Sequence, residues 1–317
     1  MKDIINKEYN LKINNIKEIS KDIVWLVSSD SDKFILKRKK DLKIIEKEIF
    51  LLKHLEEKRF KQVSYPILNK NNYYYFTHED KIYMIFSYIN GEHIDLYKSN
   101  NKYFYTEQIC EFLGKLHKSL EDIKSEILPS SNLLKTLNGY INTFIKENPQ
   151  KINSEKVLKI TNYLNENFPV LYEKLPRQFI HRDFHMENVI FFEEKITGII
   201  DFEIAIEEVK IFDVAYFNSS ILSELLKNQN ENEWVKYLKS SIKGYLEANT
   251  INDYEKEAFI YILLEIQMIF IVYFNSVDDF KRLKETEKIL FYIFENKDTI
   301  IEIMKSTKPL MKRRKIK

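Results

Sequence analysis

Apolar and polar positions change period along this chain, and the change divides it. Residues 11–19 alternate loosely, residues 23–28 read IVWLVS, and residues 33–38 read KFILKR. Alternation at period two predicts three strands, and the run Ser29-Asp30-Ser31-Asp32 supplies the turn between the last two. The period then lengthens: in residues 41–58, Ile45, Ile49, Leu52 and Leu55 share one helical face, with Asp41 placed to cap it. Residues 63–67, 73–78 and 81–88 predict two or three more strands, with 82–86 innermost. Gly91 lets the chain turn, and a domain boundary is expected near residue 88.

Beyond residue 92 the pattern becomes helical. In residues 107–120, Ile109, Phe112, Leu113, Leu116 and Leu120 line one face. A second helix carries Val157, Ile160, Leu164 and Phe168, capped by Asn153 or Ser154 and ended by Pro169. About three further helices are expected across residues 213–304. The most apolar run, 258–274, is interrupted by Glu265 and Gln267, which predicts a buried helix rather than a membrane span. There is no internal repeat.

Composition narrows the function classes. A hydrophobic content of 44% is enough for a packed core, and a formal charge of +2 gives no sign of a nucleic-acid or acidic partner. The single cysteine, Cys110, excludes an internal disulfide and a cysteine zinc site. The N-terminus lacks the uninterrupted apolar core of a secretory signal, so a cytoplasmic protein is expected. The tail 305–317 holds seven Lys or Arg and no acid, the composition of a solvated end.

The chemistry concentrates in residues 179–205, FIHRDFHMENVIFFEEKITGIIDFEIA. His181-Arg182-Asp183 is followed by Asn188, an apolar run, the turn Glu193-Glu194-Lys195, and a second apolar run ending at Asp201-Phe202. Loop, strand, turn, strand and acid place Asp183, Asn188 and Asp201 at strand ends. Oxygen donors of this kind suit a hard cation such as magnesium, and a separate carboxylate can take a proton from a hydroxyl.

This stretch resembles the aminoglycoside phosphotransferase and choline kinase superfamily, small-molecule kinases with a protein-kinase-like fold. His181, Asp183, His185 and Asn188 match its H-x-D-x-H-x-x-N loop, and Ile199 to Phe202 match its I-I-D-F run. The resemblance implies an α+β, two-lobe fold: a small antiparallel-sheet N-lobe (residues 1–88) and a larger, mainly helical C-lobe (89–317). It implies ATP and magnesium as cofactors, with Asp183 as the base and Asn188 and Asp201 as metal ligands. Lys37 would neutralise phosphate charge, held by Glu48, with Glu46 as the register alternative. Ser87 and Ile89 would meet the adenine through main-chain atoms of the hinge, and Ser20 and Lys21 would cover the phosphates in a loop without glycine. Asp213, in the sequence Ile211-Phe212-Asp213-Val214-Ala215, would brace the loop, as would His181; His117 is structural.

Blander readings stand beside these. Lys37 opens a basic run, Ser20-Lys21-Asp22 can be a plain turn, and His185 can support the loop or line an acceptor site. A zinc site from His181 and His185 lacks a third ligand. The acceptor is expected to be a small hydroxylated molecule, cationic rather than anionic; Glu207, Glu208, Glu265, Asp278 and Asp279 are acids that can face it, and each also reads as an ordinary surface charge. Nucleic acid and membrane are not expected partners, and the oligomeric state stays open. The alternatives are a catalytically silent nucleotide-binding or spore-coat-type scaffold and a protein kinase. The short interval between Phe202 and Phe212 leaves no room for an activation segment, which argues against the latter.

Overall fold

The structure, a computed structural model, describes residues 1–123, 128–149 and 155–308. It resolves into two compact units, one formed by Met1–Ile94 with Glu187–Ala205, the other by Asp95–Met186 with the chain from Ile206 onward.

The first unit is built on a five-stranded antiparallel sheet in the order β1 (Asn15–Ser20), β2 (Val24–Ser28), β3 (Lys33–Lys39), β5 (Lys81–Ser87), β4 (Phe76–His78). Successive side chains on a strand point to opposite faces, so Leu36 and Lys37 part company. Leu36 packs with Val27, Tyr83 and Ile85 against Ile5 and Tyr9 of an N-terminal helix, α1 (Lys2–Tyr9). That helix was not expected; eight residues are too few for a clear period. The helix expected at 41–58 is α2 (Leu42–Glu57), and Asp41 accepts from the N–H of Ile44 at 2.9 Å as its cap. It turns Glu48 inward with Leu52 and Leu55 and leaves Glu46 exposed.

Other expectations are corrected. The first strand begins at Asn15 rather than 11, and only Phe76–His78 of residues 73–78 is strand. Residues 63–67 make isolated bridges alone, from Val63 to Ile199 and from Pro66 to Phe86; Pro66 has no N–H for a regular ladder. The boundary expected at 88 also moves. The hairpin of β7 (Val189–Phe192) and β8 (Lys195–Ile199), turned at Glu193 and Glu194 with positive φ, joins the first unit. Glu92 and Phe191 exchange main-chain bonds, and Ile199 N–H donates to Gln62. Gly91 fits here because a Cβ would come within 2.3 Å of the Phe191 carbonyl oxygen, at a φ of 140°.

The second unit is mainly helical. Helix α3 (Lys102–Leu120) starts earlier than expected; α4 (Leu133–Thr136), a π turn (Leu137–Asn142) and α5 (Thr143–Glu147) follow. Helix α6 (Glu155–Tyr172) runs through Pro169 instead of stopping there. Its expected cap at 153–154, and the tail from 309, lie outside the described residues. Strands β6 (Arg177–Ile180) and β9 (Ile206–Val209) pair antiparallel, and neither was expected. Five helices, rather than three, complete the unit: α7 (Phe212–Lys227), α8 (Trp234–Ala248), α9 (Asp253–Ser276), α10 (Phe280–Glu295) and α11 (Lys297–Ser306). Helix α9 is long and apolar enough to cross a membrane, yet 72% of its most apolar window is buried inside the fold, as a core helix requires.

Candidate nucleotide cavity and catalytic loop

A cavity of about 310 Å³ opens within the first unit. Val24, Ile35, Leu52, Phe86, Ile190 and Ile199 wall it with apolar surface, the lining a flat heteroaromatic ring would want. The hinge residues Ser87 and Ile89 line it as well, and so do Ser20, Lys37, Glu48 and Asp201; Lys21 does not. The Ser87 N–H already donates to the Tyr65 carbonyl, and the Ser87 carbonyl accepts from the Ser64 hydroxyl. The Ser87 N–H is therefore already engaged, while its carbonyl oxygen keeps a second lone pair.

Lys37 and Lys39 leave β3 on the same face. Lys37 Nζ stands 3.4 Å from Asp201 Oδ1. Contrary to the expectation from the sequence, Glu48 does not hold Lys37; its Oε2 lies 2.5 Å from Lys39 Nζ, and both side chains are buried. The strand explains the exchange. Lys39 ends β3 just before the Asp41 cap, so it meets the opening turns of α2.

Asp201 follows β8 with φ of 73°, a left-handed conformation unusual for a residue with a side chain. The register of the hairpin sets Val189 opposite Ile199, and Ile200 N–H donates to the Asn188 carbonyl at 3.0 Å. Asn188 and Asp201 thus sit at adjacent ends of the two strands. Asn188 is buried and does not line the cavity. A side-chain amide and a half-exposed carboxylate at neighbouring strand ends offer the oxygen chemistry that magnesium takes, and the Lys37 ammonium beside Asp201 is suited to phosphate rather than to the metal. Among the described residues no group of three His, Cys, Asp or Glu could hold a metal unaided.

The loop bearing Asp183 belongs to the second unit, and Asp213 organises it. This buried carboxylate accepts from His181 N–H at Oδ2 and from Arg182 N–H at Oδ1, both at 2.8 Å. His117 Nε2 lies 3.0 Å from the same Oδ2, and its Nδ1 lies 2.9 Å from the Tyr245 hydroxyl. His117 is therefore structural, as expected, and acts by backing Asp213. Arg182 takes a φ of 68°, and its guanidinium donates to the Ser131 hydroxyl at 2.8 Å.

Asp183 is held at both oxygens. The Tyr216 hydroxyl donates to Oδ1 at 3.0 Å, and His185 Nε2 lies 3.4 Å from Oδ2. Burial alone would raise the Asp183 carboxyl; the hydrogen bond and charge of His185, with the Tyr216 hydroxyl, outweigh it and keep the group below its ordinary range. Burial, then the nearby Asp183, pushes the Tyr216 phenol well up, so it stays a donor. Sequence reasoning missed Tyr216. The signal was there, since Tyr216 lies three residues after Asp213 on one helix face.

Tyr216 also lines a second cavity, about 210 Å³, with Ser219, Ser220, Gln267, Phe270 and Phe274. None of the acids expected at an acceptor site lines it. Glu208 is buried against Arg177 at 3.0 Å and takes the Tyr172 hydroxyl. Glu265 is buried within α9, with no hydrogen-bond partner for its carboxyl among the described residues. Asp279 caps α10 through the N–H of Arg282.

Comparison with known proteins agrees with this arrangement. The family model described as the phosphotransferase enzyme family matches residues 14–245. A homoserine kinase of Zymomonas mobilis subsp. mobilis is 31% identical over 166 residues, which is 50% of this chain and 48% of that protein. The chain thus spans about half the length of this curated relative. An amicoumacin kinase solved with AMP-PNP and Ca2+ superposes with a TM-score of 0.70 at 13% identity, covering 95% of this chain and 92% of its own. A microcompartment-associated aminopropanol kinase gives 0.70 at 12%, covering 94% and 97%. At such identities these likenesses speak for the fold, which is the α+β fold of small-molecule kinases. With the family model covering most of the chain, this protein belongs to the phosphotransferase enzyme family.

Proposed function

We propose that the chain is a magnesium-dependent kinase that moves the γ-phosphoryl group of ATP to a hydroxyl of a small molecule. The observation that carries this reading is the cavity of the first unit, apolar at its walls and hinge, with Lys37 facing Asp201 at its polar end. Catalysis of phosphoryl transfer is mostly positioning and charge neutralisation. Ile89 meets the base through its main chain, and Lys37 turns from Asp201 to the phosphates. Asn188 and Asp201 would hold magnesium, which when bound offsets phosphate charge. Asp183 orients the acceptor hydroxyl and takes its proton as that oxygen attacks the terminal phosphorus. Its depressed pKa suits a base that gains the proton late, once the oxygen has become acidic.

The acceptor is read as a small alcohol entering the serine- and phenylalanine-lined cavity beside Tyr216. Kinases of homoserine, aminopropanol and amicoumacin among its relatives and structural neighbours support that class. The test is ATP consumption by the purified chain over a panel of amino alcohols, homoserine, sugars and aminoglycosides. One class should raise ADP release above the acceptor-free rate, with loss in EDTA. No acceptor-dependent release, together with no magnesium-dependent nucleotide binding, would sink the reading.

A further inference from the structure

We propose that Lys39 and Glu203 form a positioning bridge that holds Asp201 in its left-handed conformation, so that magnesium-nucleotide binding depends on two residues that touch neither ligand. The proposal rests on the kinase reading of the cavity and adds to it a device that the motif did not assign. Lys39 has no exposed side-chain surface, a costly place for an ammonium unless carboxylates surround it. Two do: Glu48 at 2.5 Å and Glu203 at 3.5 Å. Glu48 belongs to α2, and Glu203 lies two residues beyond Asp201. One buried lysine therefore ties the helix to the turn that presents the metal-type acid.

Glu203 is fixed a second time, at its main chain. Lys47, one residue before Glu48 on α2 and part-buried, donates to the Glu203 carbonyl at 2.5 Å. Phe202 between them is buried, and Ile200 on the other side is bonded to Asn188. Asp201 is thus the one half-exposed carboxylate in a segment pinned on both flanks. A left-handed residue with a side chain persists only where its surroundings over-determine it. Both flanks meet that need here, and the downstream flank hangs on Lys39 and Lys47. The exchange of partners gains a purpose: with Glu48 committed to Lys39, Lys37 is available to Asp201 and to phosphates.

The experiment measures nucleotide binding by calorimetry, with ATP titrated at rising magnesium and again in EDTA. Thermal unfolding of each variant is measured alongside. Glu203→Gln removes the charge facing Lys39 and keeps the main chain that Lys47 holds. The magnesium concentration for half-maximal tightening should rise roughly tenfold, about the weight of one strained backbone conformation, while affinity in EDTA stays unchanged. Lys39→Met leaves Glu48 as a lone buried charge, a strongly destabilising change, so the partner variant is Lys39→Met/Glu48→Gln. It should shift the magnesium midpoint in the same direction, and adding Glu203→Gln to it should shift it little further. Lower melting temperatures with an unaltered magnesium midpoint in both variants would overturn the proposal. So would a shift in Glu203→Gln alone, because Glu203 would then act directly rather than through Lys39. Absence of magnesium-dependent binding in the unaltered chain would overturn the kinase reading and this proposal together, and it shows before any variant is made.

Discussion

Asp213→Asn is the sharpest probe of the loop that carries Asp183. In the native arrangement one carboxylate serves two main-chain donors and a histidine: His181 N–H and His117 at Oδ2, and Arg182 N–H at Oδ1. An amide can keep only one of those positions as an acceptor. Its best choice is to leave the oxygen facing His181 and His117 and to turn its NH2 toward Arg182. One buried N–H then loses its acceptor and faces another donor, a cost of about 1–3 kcal/mol. Asp213→Ala strands both amides, which costs about 2–6 kcal/mol out of a total stability on the order of 5–15 kcal/mol. Urea unfolding followed by fluorescence should show both losses, ordered Ala below Asn below the unaltered chain. Turnover should fall more than stability suggests, because Asp183 sits one residue past the freed amide; a displacement of about 1 Å can cost roughly a hundredfold. An Asp213→Asn protein within about 0.5 kcal/mol of the original, with full turnover, would refute this account of the loop.

Three other outcomes are expected. Asp183→Asn should leave ATP–magnesium affinity near that of the unaltered chain and lower turnover by about 10²–10⁴-fold, whereas Asp201→Asn should weaken the magnesium dependence of binding; the opposite pairing in ATP titrations would show the roles reversed. Burial, and then the charge of Glu208, raises the Glu265 carboxyl well above the ordinary 4.5. The folded state binds that proton more tightly, so its contribution is complete below about 4.5 and declines as pH rises, by up to about 1.4 kcal/mol per pH unit. Glu265→Gln should flatten that decline in denaturant midpoints measured between pH 5 and 8, and an unchanged slope would count against it. Gly244→Ala sets a Cβ 2.1 Å from the Glu107 carbonyl oxygen and should force α3 and α8 apart at a cost of roughly 1–3 kcal/mol or more. Gly139→Ala, with nothing within 4 Å, is the control that should show no loss in the same melts.

The sheet and the catalytic loop were legible because their signals are local. Apolar alternation and turn residues located β2, β3 and β5, and the spacing from His181 to Asp201 marked the loop and hairpin that the structure forms there. What stayed hidden depends on pairing at a distance. Lys37 and Lys39 are equivalent on a strand of period two, and only the entry angle of α2 decides which one meets Glu48. Strands β6 and β9 are four residues each, too short for a period. Glu208 and Glu265 look like surface acids in sequence, and burial against Arg177 or inside α9 is a tertiary outcome. Tyr216 was readable from its spacing to Asp213 but has no chemistry until Asp183 is beside it.

The membership of Glu187–Ala205 in the first unit has a consequence for how the chain is made. A ribosome emits the N-terminal sheet first, yet the cavity takes Ile190, Ile199, Ile200 and Asp201 from a hairpin that follows the whole of Asp95–Met186. At about 5–20 residues per second, roughly 5–20 s pass between the two. During that interval the main chains of Gln62 and Glu92 lack their later partners, and the cavity lacks the wall that the hairpin supplies. Any product that stops short of Asp201 therefore has an incomplete cavity, and a prematurely ended chain is left to the quality-control machinery of the cell.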